Sequence, residues 1–337
     1  MRARLLPADL DHAVSSADAA MRALAGARVL VTGASGFVGG WMLESLLHAR
    51  DTLAVDVGAI ALTRDRATFA RRLPHLAEHP AVAVVEADVR SCQPGAFTHV
   101  VHAASAATPA ENAARPDAVI DLIAAGTRHV CAVSAQAGAS RMLVVSSGSV
   151  YDRRRATGDA IDESCPTVSR ANTTAERFGA AKADAEQRAF GAGTPAVAAR
   201  IFTVVGPRLP LDGQFAVGQF FGDAVAGRAV RVTGDGSPVR TYLYAADLAA
   251  WCWTLLVRGT AGSAYNVGSD VPLSVGDAAQ AVAALAGVAV HRAAGATAGT
   301  PSDRYVPSIA RARAELGVAP WVDASDAFRR TWDWLRS

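Results

Sequence analysis

The stretch "VTGASGFVGG" limits the fold of this chain more than any other. Gly33, Gly36 and Gly39 recur in a G-x-x-G-x-x-G spacing. Before them runs a short β-branched segment, "ARVLVTG". After them comes "FVGGWMLESLLHA", with Trp41, Leu43, Leu46 and Leu47 at helical spacing. Glycines at such a junction allow a tight turn and bring backbone close to a pyrophosphate, whose charge then meets the helix N-terminus. Gly33, Ser35, Gly36, Phe37, Val38 and Gly39 are therefore expected against a dinucleotide.

The pattern continues through the first half. "GAIALTR", "AVAVVEADV", "FTHVVHAAS" and "RMLVVSSGSVY" read as the second to fifth strands, with helical stretches such as "DAVIDLIAAGTRHVCAVSAQAGA" between them. Near-continuous apolar strands alternating with helices predict a parallel sheet covered on both faces. The expected fold class is α/β: a doubly wound, Rossmann-like parallel sheet with a smaller mixed α/β substrate lobe. After residue 200 the rhythm breaks into turn-rich pieces, "PRLPLDGQ" and "TGDGSP", and closes on "DAFRRTWDWLRS". The division expected is a helical extension over 1–26, a dinucleotide-binding domain over 27–205 and a second lobe over 206–337, with the chain crossing between them.

Charge narrows the partners. With 33 basic against 31 acidic residues, the net charge of +2 argues against nucleic acid or a membrane surface. The run Arg153-Arg154-Arg155 reads as a solvated loop. Four scattered cysteines, with no C-x-x-C pair, indicate neither a metal site nor a disulfide framework. No uninterrupted apolar run reaches the ~18 residues of a membrane span. The first residues lack the apolar core of a secretory leader. A cytoplasmic protein is the expectation.

Lys182 is the chain's single lysine, and Phe178 lies one helical turn before it. Spaced (i, i+4) on a helix, the two share a face. At the end of the second strand Thr63 and Arg64 stand where an NAD-preferring fold places a carboxylate for the ribose 2′-hydroxyl. Arg64 suits a 2′-phosphate, so NADP is favoured slightly over NAD, and Asp65 keeps NAD open. Asp88 is expected at the adenine amine, beside Val89. Ala103, Ala104 and Ser105, after the fourth strand, are expected along the cofactor.

These segments, with "VVSSGSVY", "FGAAK", "RIFTVVGP" and "GDGSPVRTYLYAADLA", occur in one order from residue 27 onward. Together they resemble the extended short-chain dehydrogenase/reductase family, in its NAD(P)-dependent nucleotide-sugar epimerase/dehydratase branch. The resemblance implies that Ser147 hydrogen-bonds the sugar oxygen at the carbon exchanging hydride. It implies that Lys182 binds the nicotinamide ribose and lowers the pKa of a tyrosine in Y-x-x-x-K, the position of Phe178 here. Three accounts fit that phenyl ring: an engineered Tyr→Phe trap, a natural enzyme in which Ser147, Lys182 or another group moves the proton, or an inactive relative that only binds. The retained lysine favours a trap or a recent change over a long-dead site. Tyr151 matches a family tyrosine whose role is packing.

The branch's dehydratases carry an Asp-Glu pair after the Ser/Thr, and its decarboxylases keep the Glu. Gly148 and Ser149 occupy those positions, which favours an epimerase or 4-ketoreductase over a decarboxylase or 4,6-dehydratase. For a nucleotide-diphosphate sugar the resemblance implies contacts from Ser147, Ser149, Thr203 (usually Asn), Arg231, Arg240 and Arg304. Phe215, Phe220 and Phe221 are expected in the core rather than at the base. A homodimer is expected through helices near 117–137 and 171–190.

Overall fold

The computed structural model describes residues 4–105, 114–156, 158–211, 215–292 and 303–337. Its centre is a seven-stranded sheet. Six strands come from before residue 205: β1 (Arg28–Thr32), β2 (Gly58–Thr63), β3 (Val82–Glu86), β4 (His99–His102), β5 (Arg141–Ser147) and β6 (Ala196–Ile201). The seventh, Ser263–Val267, comes from the second half. Across the sheet the order is Ser263–Val267, β6, β5, β4, β1, β2, β3, and every pairing is parallel.

Period-two alternation divides each strand between two cores. Along β1, Val29 and Val31 face a core with Trp41, Leu43 and Leu46 of helix Phe37–Leu53 and the indoles of helix Ala245–Arg258. Leu30 faces the other side, with Ile60, Val100, Val144 and, from helix Pro116–Gln136, Val130 and Cys131. Helices cover both faces, as the apolar strand runs predicted. Helix Pro116–Gln136 is, at 21 residues, long and apolar enough to span a membrane by length and composition, despite Asp117, Asp121 and Arg128 along it. In the fold it lies against the sheet and against helix Thr174–Phe190, burying Val119 and Ile123.

The extension before residue 27 forms two short helices, Pro7–Ser16 and Asp18–Ala23, parted at Ala17. They are tied into the body: Leu5 N–H donates to Glu44 (2.8 Å), His12 pairs with Asp247 (2.6 Å), and the Trp334 indole donates to the Arg4 carbonyl (3.1 Å). Strand Ser263–Val267 and helix Ala245–Arg258, from beyond residue 205, cross back to complete the sheet. The remaining second lobe is built on two-stranded pieces, Val230–Val232 with Val290–Arg292 and Val239–Arg240 with Leu273–Ser274. Beside β1 the strand order reverses, β2 lying on one side and β4 on the other. Open α/β sheets bind ligands in the crevice at such a reversal, at the carboxyl ends of the strands.

Candidate active site

The glycine turn sits in that crevice. Gly33 has φ +66°, and a Cβ there would fall 2.7 Å from the Ala103 carbonyl oxygen and 2.8 Å from the Ala104 nitrogen. The turn is thus pressed onto the end of β4, placing Ala103 and Ala104 beside it. Gly39, in the first turn of helix Phe37–Leu53, packs so closely on the Gly33 carbonyl that a side chain would overlap it. Gly36 caps the helix with an exposed backbone. Ser35 lies in the same turn, and Phe37 and Val38 point partly into the core. Thr32 and His102, which the sequence reading missed, brace this junction: the Thr32 hydroxyl meets His102 Nδ1 at 2.8 Å and accepts from the Ala104 N–H at 3.1 Å. Burial pushes His102 down to about 3, so it stays neutral.

At the tip of β2, Thr63 is buried and its hydroxyl is tied to the Asp65 backbone. Asp65 caps helix Arg66–Arg72, accepting from the Thr68 N–H at 2.8 Å. That engagement turns the nearest carboxylate to structural use, whereas Arg64 is exposed. Asp88 is gripped by Arg90 (Nε 3.0 Å, Nη2 2.7 Å), which holds its carboxyl at about 2. Val89 packs its side chain into the core against Gly126. Ser105 ends the described stretch after β4.

The chemistry-bearing side chains gather at the end of β5. Ser147 terminates that strand, and its hydroxyl accepts from the Ser149 N–H at 3.1 Å. Helix Thr174–Phe190 starts with a capping box from Thr173 and Glu176, which fixes its entry. Its Gly179 meets the Ser149 carbonyl so tightly that a Cβ would overlap the oxygen. Phe178, Lys182 and Glu186 follow on one face. The buried Lys182 ammonium donates to the Val145 carbonyl of β5 (3.0 Å) and lies 5.8 Å from the centre of the Phe178 ring. Burial pushes it down to about 8, against the pull of Glu186. Glu186, fully buried, accepts from Ser146 and from Arg200 (Nη2 2.7 Å). Arg200 also donates to the Tyr151 hydroxyl (3.0 Å), which donates to Asn266 (2.7 Å). Burial raises the Tyr151 phenol further, so this tyrosine is a structural tie.

Two cavities open beside this centre and share Arg240. One, of about 490 Å³, is lined by Ser149, Arg153, Glu176, Arg240 and Tyr305 among others. The other, of about 410 Å³, is lined by Thr203, Phe215, Arg231, Arg240 and Tyr242 among others. Arg240 is held by Asp303 (2.7 Å), which also takes Arg153. Arg231 is held by the buried Asp223 (3.0 Å). The fold thus sets Ser149 with Arg240 in the first cavity and Thr203 and Arg231 with Arg240 in the second. It sends Arg304 elsewhere, toward Asp159, and Arg304 lines neither cavity. Neighbours in an extended segment point opposite ways; Tyr305 takes the inward place. Arg153 and Arg154, expected in a solvated loop, are exposed yet line the first cavity. Phe220 and Phe221 are buried as expected, whereas Phe215 is exposed at the second cavity's edge.

A family model described as the NAD dependent epimerase/dehydratase family matches residues 29–268. The chain is 26% identical, over 90% of its length and 68% of the relative's, to UDP-glucuronic acid decarboxylase 1 of Arabidopsis thaliana. Its fold is similar to that of an epimerase from Methanothermobacter thermautotrophicus, with TM-score 0.81, 23% identity and 95% of each chain covered. It is also similar to a dTDP-glucose 4,6-dehydratase from Streptomyces venezuelae solved with NAD bound, with TM-score 0.77, 23% identity and coverage of 92% and 97%.

Proposed function

Since the chain belongs to the NAD-dependent epimerase/dehydratase family, we propose that it exchanges hydride between a nicotinamide dinucleotide and a carbon of a nucleotide-diphosphate sugar, as an epimerase or 4-ketoreductase. The observation that carries this reading is the single lysine, buried and hydrogen-bonded to β5 two residues before Ser147. A dinucleotide fits the glycine turn, where a side chain at 33 or 39 would overlap backbone and Gly36 leaves the helix start open. Bound there, the nicotinamide supplies or accepts the hydride.

The protein's own groups do the rest. Ser147 holds the reacting oxygen, Lys182 holds the nicotinamide ribose, and the Gly33–Gly39 turn receives the pyrophosphate. Arg240 and Arg231 grip the sugar's diphosphate, Arg240 exchanging Asp303 for phosphate oxygens. With Asp65 engaged as a cap, Arg64 favours a 2′-phosphate. Calorimetric titration is therefore expected to show NADP binding several-fold tighter than NAD, and a panel of UDP- and dTDP-sugars to show epimerisation or 4-keto reduction. Binding of neither dinucleotide would refute the reading. Weaker NADP than NAD would refute only the preference.

The relative from Arabidopsis supports a second reading, decarboxylation. That chemistry asks for an acid or base just after Ser147, where Gly148 and Ser149 stand; release of carbon dioxide from UDP-glucuronate would establish it. The adjoining helices Pro116–Gln136 and Thr174–Phe190 are the proposed seam of a homodimer. Sedimentation near twice 34.7 kDa is expected, and a monomer at micromolar concentration would refute it.

A further inference from the structure

A carbonyl oxygen that becomes a hydroxyl must gain a proton, and position 178 offers none. Five tyrosines exist in the chain. Tyr151 is engaged with Arg200 and Asn266, and Tyr265 donates to Glu315. Tyr242 borders only the second cavity and packs edge-on against Phe328, and Tyr244 is buried in the main core. Tyr305 differs. Its hydroxyl lies over Gly148, so close that a Cβ at 148 would overlap it. Its ring stacks on Phe202 (4.5 Å between centroids), with the guanidiniums of Arg153 and Arg240 at 5.7 and 6.0 Å. The same residue lines the 490 Å³ cavity with Ser149. A phenol is therefore fixed on the turn that starts at Ser147, and the missing side chain at 148 is what admits it.

We infer that the Tyr305 hydroxyl is the proton-carrying group of this site, taking the part of the phenol absent at 178. This rests on the hydride-exchange reading above. A reduced nicotinamide held at the glycine turn would supply hydride to the carbonyl carbon, and the C=O π pair would move onto oxygen. That oxygen takes the Tyr305 proton, directly or through Ser147, whose hydroxyl passes on one proton and receives another. A proton from solvent, entering through the cavity, restores the phenol. The carbonyl has gained one hydride and one proton and becomes an alcohol; oxidation follows the same path in reverse. Burial pushes the phenol up to about 12, while the Ser149 and Ser147 hydroxyls and both guanidiniums pull the other way. It is protonated at neutral pH and ready to donate to a forming alkoxide.

The test compares the wild type, Tyr305→Phe and the double variant Phe178→Tyr/Tyr305→Phe. Calorimetry with NAD, NADP, UDP-glucose and dTDP-glucose comes first. If none binds the wild type, the functional reading fails and the inference falls with it. With binding present, Tyr305→Phe is expected to slow turnover about 10²-fold or more, at affinities within about twofold. Restoring a phenol at 178, beside Lys182, is expected to recover at least about tenfold. A Tyr305→Phe rate within about threefold of wild type overturns the inference. So does a loss the double variant fails to recover, which would mark a packing role. Should the wild type bind these sugars without converting them, ring-labelled tyrosine NMR decides. The signal missing from Tyr305→Phe must move when UDP-glucose or dTDP-glucose joins the dinucleotide complex, and a signal that stays put overturns the inference.

Discussion

Replacing Lys182 by methionine is expected to cost turnover by about 10²- to 10⁴-fold while leaving the fold as stable as before, or more so. The two outcomes separate because the ammonium is held at a loss. It is 6% exposed and displaced from its ordinary value of 10.5 to about 8, which corresponds to about 3 kcal/mol of disfavoured charge. The sign follows from proton binding. The unfolded chain holds this proton more tightly than the native state, so unfolding takes up a proton between about pH 8 and 10.5. The penalty is complete below pH 8 and is relieved as pH rises through that window. Methionine has similar bulk, and Glu186 keeps Arg200 and Ser146. An apolar side chain in place of a poorly paired buried charge is neutral or stabilising. Thermal melts across pH 7 to 10.5 check this: the variant's advantage should be largest at pH 7 and shrink with rising pH. An advantage that grows with pH would contradict the sign.

Gly179→Ala is expected to lower both stability and turnover, although alanine is the better helix former by about 1 kcal/mol. The added methyl overlaps the Ser149 carbonyl, a backbone atom that cannot swing aside. Overpacking of that kind costs about 1–3 kcal/mol, which outweighs the propensity gain. Helix Thr174–Phe190 also carries Phe178 and Lys182. Moving it off the 147–149 turn shifts the ammonium relative to Ser147, and a displacement of about 1 Å can cost about 10²-fold in rate. Melting temperature and turnover measured on one preparation check both parts. A variant more stable than the parent would show that the turn yields instead.

These two positions mark what could be read from residues alone. Lys182 was visible because it is unique and sits at helical spacing in a recognisable segment. Gly33, Gly36 and Gly39 were visible because a chain that turns from strand to helix around a diphosphate has few alternatives. Gly179 and Gly148 carried no such signal: their need for bareness comes from Ser149 and Tyr305, which approach in space. Formal charge singles out Arg304, whereas the extended segment turns Tyr305 to the first cavity and Arg304 toward Asp159. The strands of the first half were legible from their apolar runs. Strand Ser263–Val267 was not, because its place beside β6 is set by the chain's return to the sheet edge.

That return affects how the protein is made. A nascent chain that has emerged only as far as residue 205 carries β6 with its outer edge bare, and the face awaiting Trp251 and Trp253 open to water. Unpaired parallel edges and exposed indole sites are sticky. Helix Ala324–Arg336 holds the chain's first described segment, anchoring the Arg4 backbone through Trp334 and Asp9 through Arg330 (3.3 Å). The bare edge and the open face are thus both covered only once residues up to 267 are present.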